Sequence, residues 1–283
     1  MNDYWGQAPY WNGYLNERYM LETQPGRNLN DWHHGLDTSF SEEAMEMADG
    51  ATNSAEQMLY GTLLILTFVS GLVDAASFLA LGHVFTANMT GNVVLMAFAL
   101  AGTPELSSLR SFIALLSALA GAAVAGHLDS RIRWEKRTSW LSIALVIEAA
   151  ILAIAAFVAW SGRVQPAEQS IVCVVIALTG FAMGVRNGTV RRLGVPDLTT
   201  TVLTLTVAGL AFDSSIAGGA NARWRIRVAA ISMMFLGAVA GALVLRHSLV
   251  NLLGLSALLV TSCAVLQLFR EETSHEFKLK GTT

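Results

Sequence analysis

Apolar residues in this chain come in long runs separated by short polar stretches. Six runs, residues 58–81, 109–128, 139–160, 170–190, 226–246 and 249–269, are each about 20 residues of mostly apolar sequence. That is the length a helix needs to cross the hydrocarbon core of a bilayer. Two further runs are shorter. Residues 93–102 follow the polar string 86–92, and residues 202–212 follow Thr199, Thr200 and Thr201. Ten or eleven residues make about 15 Å of helix, roughly half the core. The pattern predicts an all-α polytopic membrane protein in which the two short runs are half-helices that enter and leave on one side. The alternative is eight full spans, with the polar ends of the short pair facing the protein interior. Trp140 and Trp160 bracket the third long run, about 30 Å apart at helical rise, which predicts an aromatic residue at each interface.

Composition agrees with the pattern. Of 283 residues, 53% are hydrophobic and 14% charged, against about 25% charged in a soluble domain. That excludes a disordered chain and a basic-faced nucleic-acid binder, and implies a bilayer as the main partner. The acids are uneven: ten of 21 lie in residues 1–57 and three after residue 270. The chain therefore reads as a polar tail (1–57), a transmembrane domain (58–269) and a short charged C-terminus (270–283). The tail lacks the basic-then-apolar start of a signal peptide. It carries Trp5, Trp11, Trp32 and four of the five tyrosines, with turn formers such as Pro25-Gly26. It reads as largely flexible; the alternative is an aromatic segment that docks a protein partner or the membrane interface.

Basic residues discriminate between the two topologies. With six spans and a cytoplasmic N-terminus, fifteen of the eighteen Lys and Arg fall inside, and only Arg110, Arg163 and Arg246 fall outside. With eight spans the clusters at 131–137 and 186–192 lie opposite the one at 223–227, and the bias largely disappears. Lys and Arg are retained on the cytoplasmic side, so six spans fit better, with both termini cytoplasmic.

The chain also resembles itself. At an offset of 113, Phe68 meets Phe181, Gly71 meets Gly184, Asp74 meets Asn187 and Thr86 meets Thr199. At 115, residues 123–126 meet their identical counterparts 238–241. Two repeats, 58–161 and 168–269, each read as helix, short broken helix, helix, helix. Three spans per unit would invert the second copy, the plan of many transporters, in which discontinuous helices mark the binding site. Four spans per unit would give parallel copies. Small-residue stripes at Gly180 and Gly184, at Gly237 and Gly241, and at Ala122 and Gly126 predict close helix packing within the chain; a contact between copies in a homo-oligomer is the alternative.

Two strings carry a resemblance to a known family. The first runs over 71–92, through Gly71, Asp74, Phe78, Gly82, Phe85, Asn88, Met89, Thr90, Gly91 and Asn92. The second comprises Met183, Gly184, Arg186, Asn187, Arg192, Gly194, Pro196, Asp197 and Thr199 to Thr201. Together they resemble the YoaK family of bacterial multipass membrane proteins, over about residues 58–268. The resemblance implies a location in the bacterial inner membrane and supplies neither a substrate nor catalytic residues.

Candidate chemistry lies in the polar residues of the apolar body. A carboxylate in mid-bilayer is unfavourable by about 2.5–3.5 kcal/mol on insertion scales, so Asp74 and Glu148 are functional candidates. Structurally, each would instead pair with a buried Arg or hydroxyl. Asn88, Thr90 and Asn92 surround Gly91 and offer groups for a small solute or ion, or simple helix caps. Thr199, Thr200 and Thr201 hold the matching place in the second copy. Arg186 either snorkels to the interface, pairs with a carboxylate or attracts an anion, and Asn187 follows it. Asp213 is expected to partner Arg223 or Arg225. Cys173 and Cys263 read as small core residues, and no metal spacing, cofactor motif or catalytic signature is present. The leading expectation is a non-enzymatic permease for a small solute, with Asp74 as a proton or cation site. The rival is a non-transporting assembly protein that docks a partner through residues 1–57.

Overall fold

The structure, a computed structural model, describes residues 38–131, 137–162, 169–195, 203–221 and 223–280, with side chains over 57–131, 140–162, 169–195, 203–221 and 223–269. The chain divides into two units, Met1–Ala55 and Glu56–Thr283. Of the first, the described residues are helical from Thr38; the aromatic residues of the polar tail lie outside them. Every regular element among the described residues is a helix: α1 (Thr38–Ala80), α2 (Met89–Leu100), α3 (Ser108–Arg131), α4 (Arg137–Ser161), α5 (Gln169–Leu193), α6 (Leu203–Phe212), a single 3-10 turn (Ser215–Ala217), α7 (Trp224–Leu245) and α8 (Leu249–Lys280).

Six of these contain a stretch long and apolar enough to cross a membrane: Gln57–Ala80, Ser108–Arg131, Trp140–Ser161, Gln169–Leu193, Trp224–Leu245 and Leu249–Phe269. α2 and α6 are too short. In hydrocarbon each backbone group must find its partner inside the segment, which leaves the helix as the one open-ended solution. Hydroxyls in the spans obey the same rule. Thr67 donates to the Leu63 carbonyl at 2.8 Å, Thr179 to Val175 at 2.7 Å and Ser256 to Leu252 at 2.9 Å.

The core clusters reveal the helix directions. Leu141 and Leu145, early in α4, cluster with Val260 and Ala264, late in α8; Ala155 and Ala159 cluster with Leu252 and Leu253. The two helices run antiparallel. Leu63 and Leu66 join the first cluster and Leu72 and Ala76 the second, so α1 runs parallel to α4. Gln267, late in α8, donates to Thr62, early in α1, at 2.9 Å. One span between α1 and α4 gives this parallel pair, whereas a crossing α2 would make it antiparallel. Neither short helix therefore carries the chain across, and eight spans do not fit.

Glycine allows two helix pairs to touch backbone to backbone. A Cβ on Gly184 of α5 would strike the Ala118 carbonyl of α3, and one on Gly237 of α7 would strike the Phe68 carbonyl of α1. The stripes at 180–184 and 237–241 are thus used inside the chain, while Gly126 meets nothing within 4 Å. α3 and α7 present exposed Leu116, Leu119, Phe235 and Leu243 on their outer faces, the apolar surface a bilayer would solvate. Trp160 is likewise exposed. Trp140 is not: it is 2% exposed and packs with Ala125, Ala144 and Val185. The expected pair of interfacial tryptophans is thus half present, because α3 and α5 close over the start of α4.

Candidate functional site

α1 ends because its chain turns left-handed. Gly82 has φ 94° and His83 φ 59°, and the His83 amide bonds back to the Phe78 carbonyl at 3.1 Å. Residues 81–88 then double back. Asp74, two turns before the end of α1 and 6% exposed, takes the amides of Thr86 and Ala87 on Oδ1 at 3.0 and 2.8 Å. Asn92, in the first turn of α2 and 1% exposed, accepts from the Phe85 amide at 2.9 Å and donates to the Phe85 carbonyl. An acid from one helix and an amide from the next therefore pin a single connecting segment. Phe85 stacks on Phe78 with ring centroids 4.9 Å apart, and Gly91 packs beneath Phe85.

Arg110, near the start of α3, lies against Gly82: a Cβ there would run into its guanidinium. α3 thus begins at the end of the bundle where α1 finishes. α2 starts at the depth of Asp74 and returns to that same end, the course of a re-entrant half-helix.

Of the residues predicted here, Asp74 and Asn92 face inward and act on the same segment. Asn88 is half-buried and occupies the N-cap of α2 with no side-chain cap bond, so the expected capping role is absent. Thr90 is exposed. Thr86 was not predicted as a site residue. Its hydroxyl is fully buried and has no hydrogen-bond partner. The signal was present in the sequence, since Thr86 opens the polar string, but only the fold brings it beside Asp74.

The second polar centre joins three spans. Arg186 of α5 is 2% exposed and Glu148 of α4 is 1% exposed. The guanidinium grips the carboxylate with two bonds, Nε to Oε2 at 3.0 Å and Nη2 to Oε1. Nη1 reaches the Leu66 carbonyl of α1 at 2.7 Å and the Ser70 hydroxyl at 2.9 Å. The bidentate fork suits Arg and neutralises a charge that the bilayer would otherwise disfavour. Snorkelling is therefore not what Arg186 does: α5 runs on to Leu193, which leaves Arg186 almost two turns inside its end. Asn187 is half-buried. Thr199, Thr200 and Thr201 lie outside the described residues.

A third centre closes α6 against α7. Arg227, 8% exposed, bonds the Gly209 carbonyl at 2.6 Å and Asp213 at 2.7 Å. The expected partners of Asp213 are displaced by geometry. Arg223 sits at the left-handed N-cap of α7, and Arg225 lies over the Trp224 ring. Arg227, one turn in, comes level with the end of α6.

Comparison with known proteins fits this picture. Residues 62–266 match the model of a family described as "Protein of unknown function (DUF1275)". "UPF0700 transmembrane protein YoaK" of Bacillus subtilis (strain 168) is 33% identical over 153 residues, 54% of this chain. That stretch spans 66% of the relative, just under two thirds of its length. No solved structure matches the chain.

Proposed function

The chain belongs to the DUF1275, YoaK-like family of multipass membrane proteins, and on that footing we propose that it is a non-enzymatic permease for a small solute. The observation that carries this reading is the α1–α2 junction. A helix too short to span begins inside the bundle, held at its start by a buried carboxylate. Broken helices at mid-depth are where secondary transporters place their solute and ion sites. Asp74, Asn88 and Asn92 from the first junction, and Thr199 to Thr201 with Asn187 from the second, would line the path. Arg186 and Glu148 would form its fixed core.

An inverted repeat underlies the proposal, and the packing supports it. Shifting α1 by 113 places it on α5; shifting α3 by 116 places it on α7, one residue more than the offset that aligns the sequence identities. Phe68 against Gly237 then corresponds to Phe181 against Gly121. Gly71 against Met234 corresponds to Gly184 against Ala118, and Ala75 against Gly241 to Gly188 against Ala125. The buried residue of α2 is Asn92 and that of α6 is Thr206. We place the protein in a bacterial cytoplasmic membrane with both termini inside, on the bias of its basic residues.

The test is solute uptake by the full chain in liposomes, with Asp74→Asn beside it. The expected result is flux by the native chain and loss of coupling in the variant. A tail-dependent stoichiometric partner with no flux would replace the permease by a docking protein.

A further inference from the structure

Among the described residues, three of the acids in or beside the bundle each meet an arginine: Glu148 meets Arg186, Asp129 meets Arg192 and Asp213 meets Arg227. Asp74 meets none, although it is more buried than Asp129 or Asp213. The amides of Thr86 and Ala87 both bond Oδ1, and the Asn88 amide also points at the carboxylate. The hydroxyl of Thr86, the residue whose amide reaches Oδ1 at 3.0 Å, is 0% exposed and has no hydrogen-bond partner. A buried carboxylate with no ion-pair partner and a buried hydroxyl with no hydrogen-bond partner are thus joined through one backbone bond.

We propose that Asp74 and Thr86 bind a dehydrated monovalent metal cation, of the sodium class, at the α1–α2 junction. Hard cations take oxygen ligands, and a carboxylate with a hydroxyl supplies two of that kind. One carboxylate balances one positive charge. A divalent ion would call for more acid, and no cluster of three His, Cys, Asp or Glu exists among the described residues. The cation would neutralise Asp74 and hold the segment that carries α2. For the cation's role in coupling the proposal rests on the permease reading; the binding itself does not.

The experiment is thermal unfolding of the detergent-purified full chain in sodium, potassium or choline chloride at matched ionic strength, with direct binding of radioactive sodium. Sodium is expected to raise the unfolding midpoint above choline and to bind at about one ion per chain. Asp74→Asn, which keeps an oxygen for the two amides, should lose the response. Thr86→Val should weaken sodium binding about tenfold, the worth of one polar ligand, and Thr86→Ser should restore it. Should Asp74→Asn fail to fold, the Val and Ser pair at Thr86 decides. Equal midpoints in sodium and choline, or a sodium response that survives both Asp74→Asn and Thr86→Val, would overturn the site. So would a response to pH alone, which would make a proton the occupant. Solute flux without sodium binding would leave the permease and remove the cation site; sodium binding without flux would do the reverse.

Discussion

The Arg186 guanidinium holds Glu148 across the α4–α5 interface with two bonds and fastens both to the backbone of α1 through Leu66. Removing one partner of a buried pair leaves the other charge stranded, at about 3–5 kcal/mol. Removing both costs much less. Arg186→Met and Glu148→Leu, each alone, are therefore expected to destabilise the detergent-solubilised protein by about that amount. The double variant should recover most of the loss. Unfolding midpoints of the three variants decide it, and strictly additive losses would mean that the pair is not coupled.

Asp74 anchors two consecutive amides, so its loss should free them. In Asp74→Leu, hydrogen exchange at Thr86 and Ala87 is expected to rise well above the native rate. In Asp74→Asn, which retains one carbonyl oxygen, it should rise less. Exchange unchanged in Asp74→Leu would show that α2 is held by Asn92 and Phe85 alone.

Backbone contact at Gly184 and Gly237 leaves no room for a side chain. Leucine at either position should push α3 from α5, or α1 from α7, and abolish the monodisperse protein on size exclusion. Gly126→Leu lies on an open face and is expected to leave yield and elution unchanged. A tolerated Gly184→Leu would contradict the packing.

Arg110 against Gly82 places both ends of the α2 segment on one side. Single cysteines at His83 and Thr103, in a chain whose Cys173 and Cys263 are alanine, should react with an impermeant maleimide from the same side. A cysteine at Ser130, in the last turn of α3, should react from the other. Labelling of 83 and 103 from opposite sides would make α2 a span.

The six spans and the two short helices were legible because a bilayer imposes length and composition on a helix before any tertiary contact forms. The membrane-crossing stretches fall within a few residues of the apolar runs, although α1 begins earlier, at Thr38, and α8 continues to Lys280. Glu148 and Asp74 were legible for the same reason, as charges where none is expected. Partners were not. Arg186 and Glu148 are separated by 38 positions, and nothing in either segment points to the other until α4 and α5 pack. Trp140 was misread because aromatic residues at a helix end signal an interface only when no other helix covers them. Thr86 was overlooked because a threonine in a polar string resembles a cap, and its isolation is a property of the folded segment.

The Arg186–Glu148 clamp joins consecutive helices, and this has a consequence for biogenesis. During insertion α4 alone would carry an unpaired acid into lipid, and α5 alone an unpaired base, each unfavourable by about 2.5–3.5 kcal/mol. Released together as a helical hairpin, the two enter as a neutral unit. Insertion of α4 and α5 as a pair would avoid both penalties. The Leu66 carbonyl, already in the membrane on α1, then gives the arriving hairpin a place to dock.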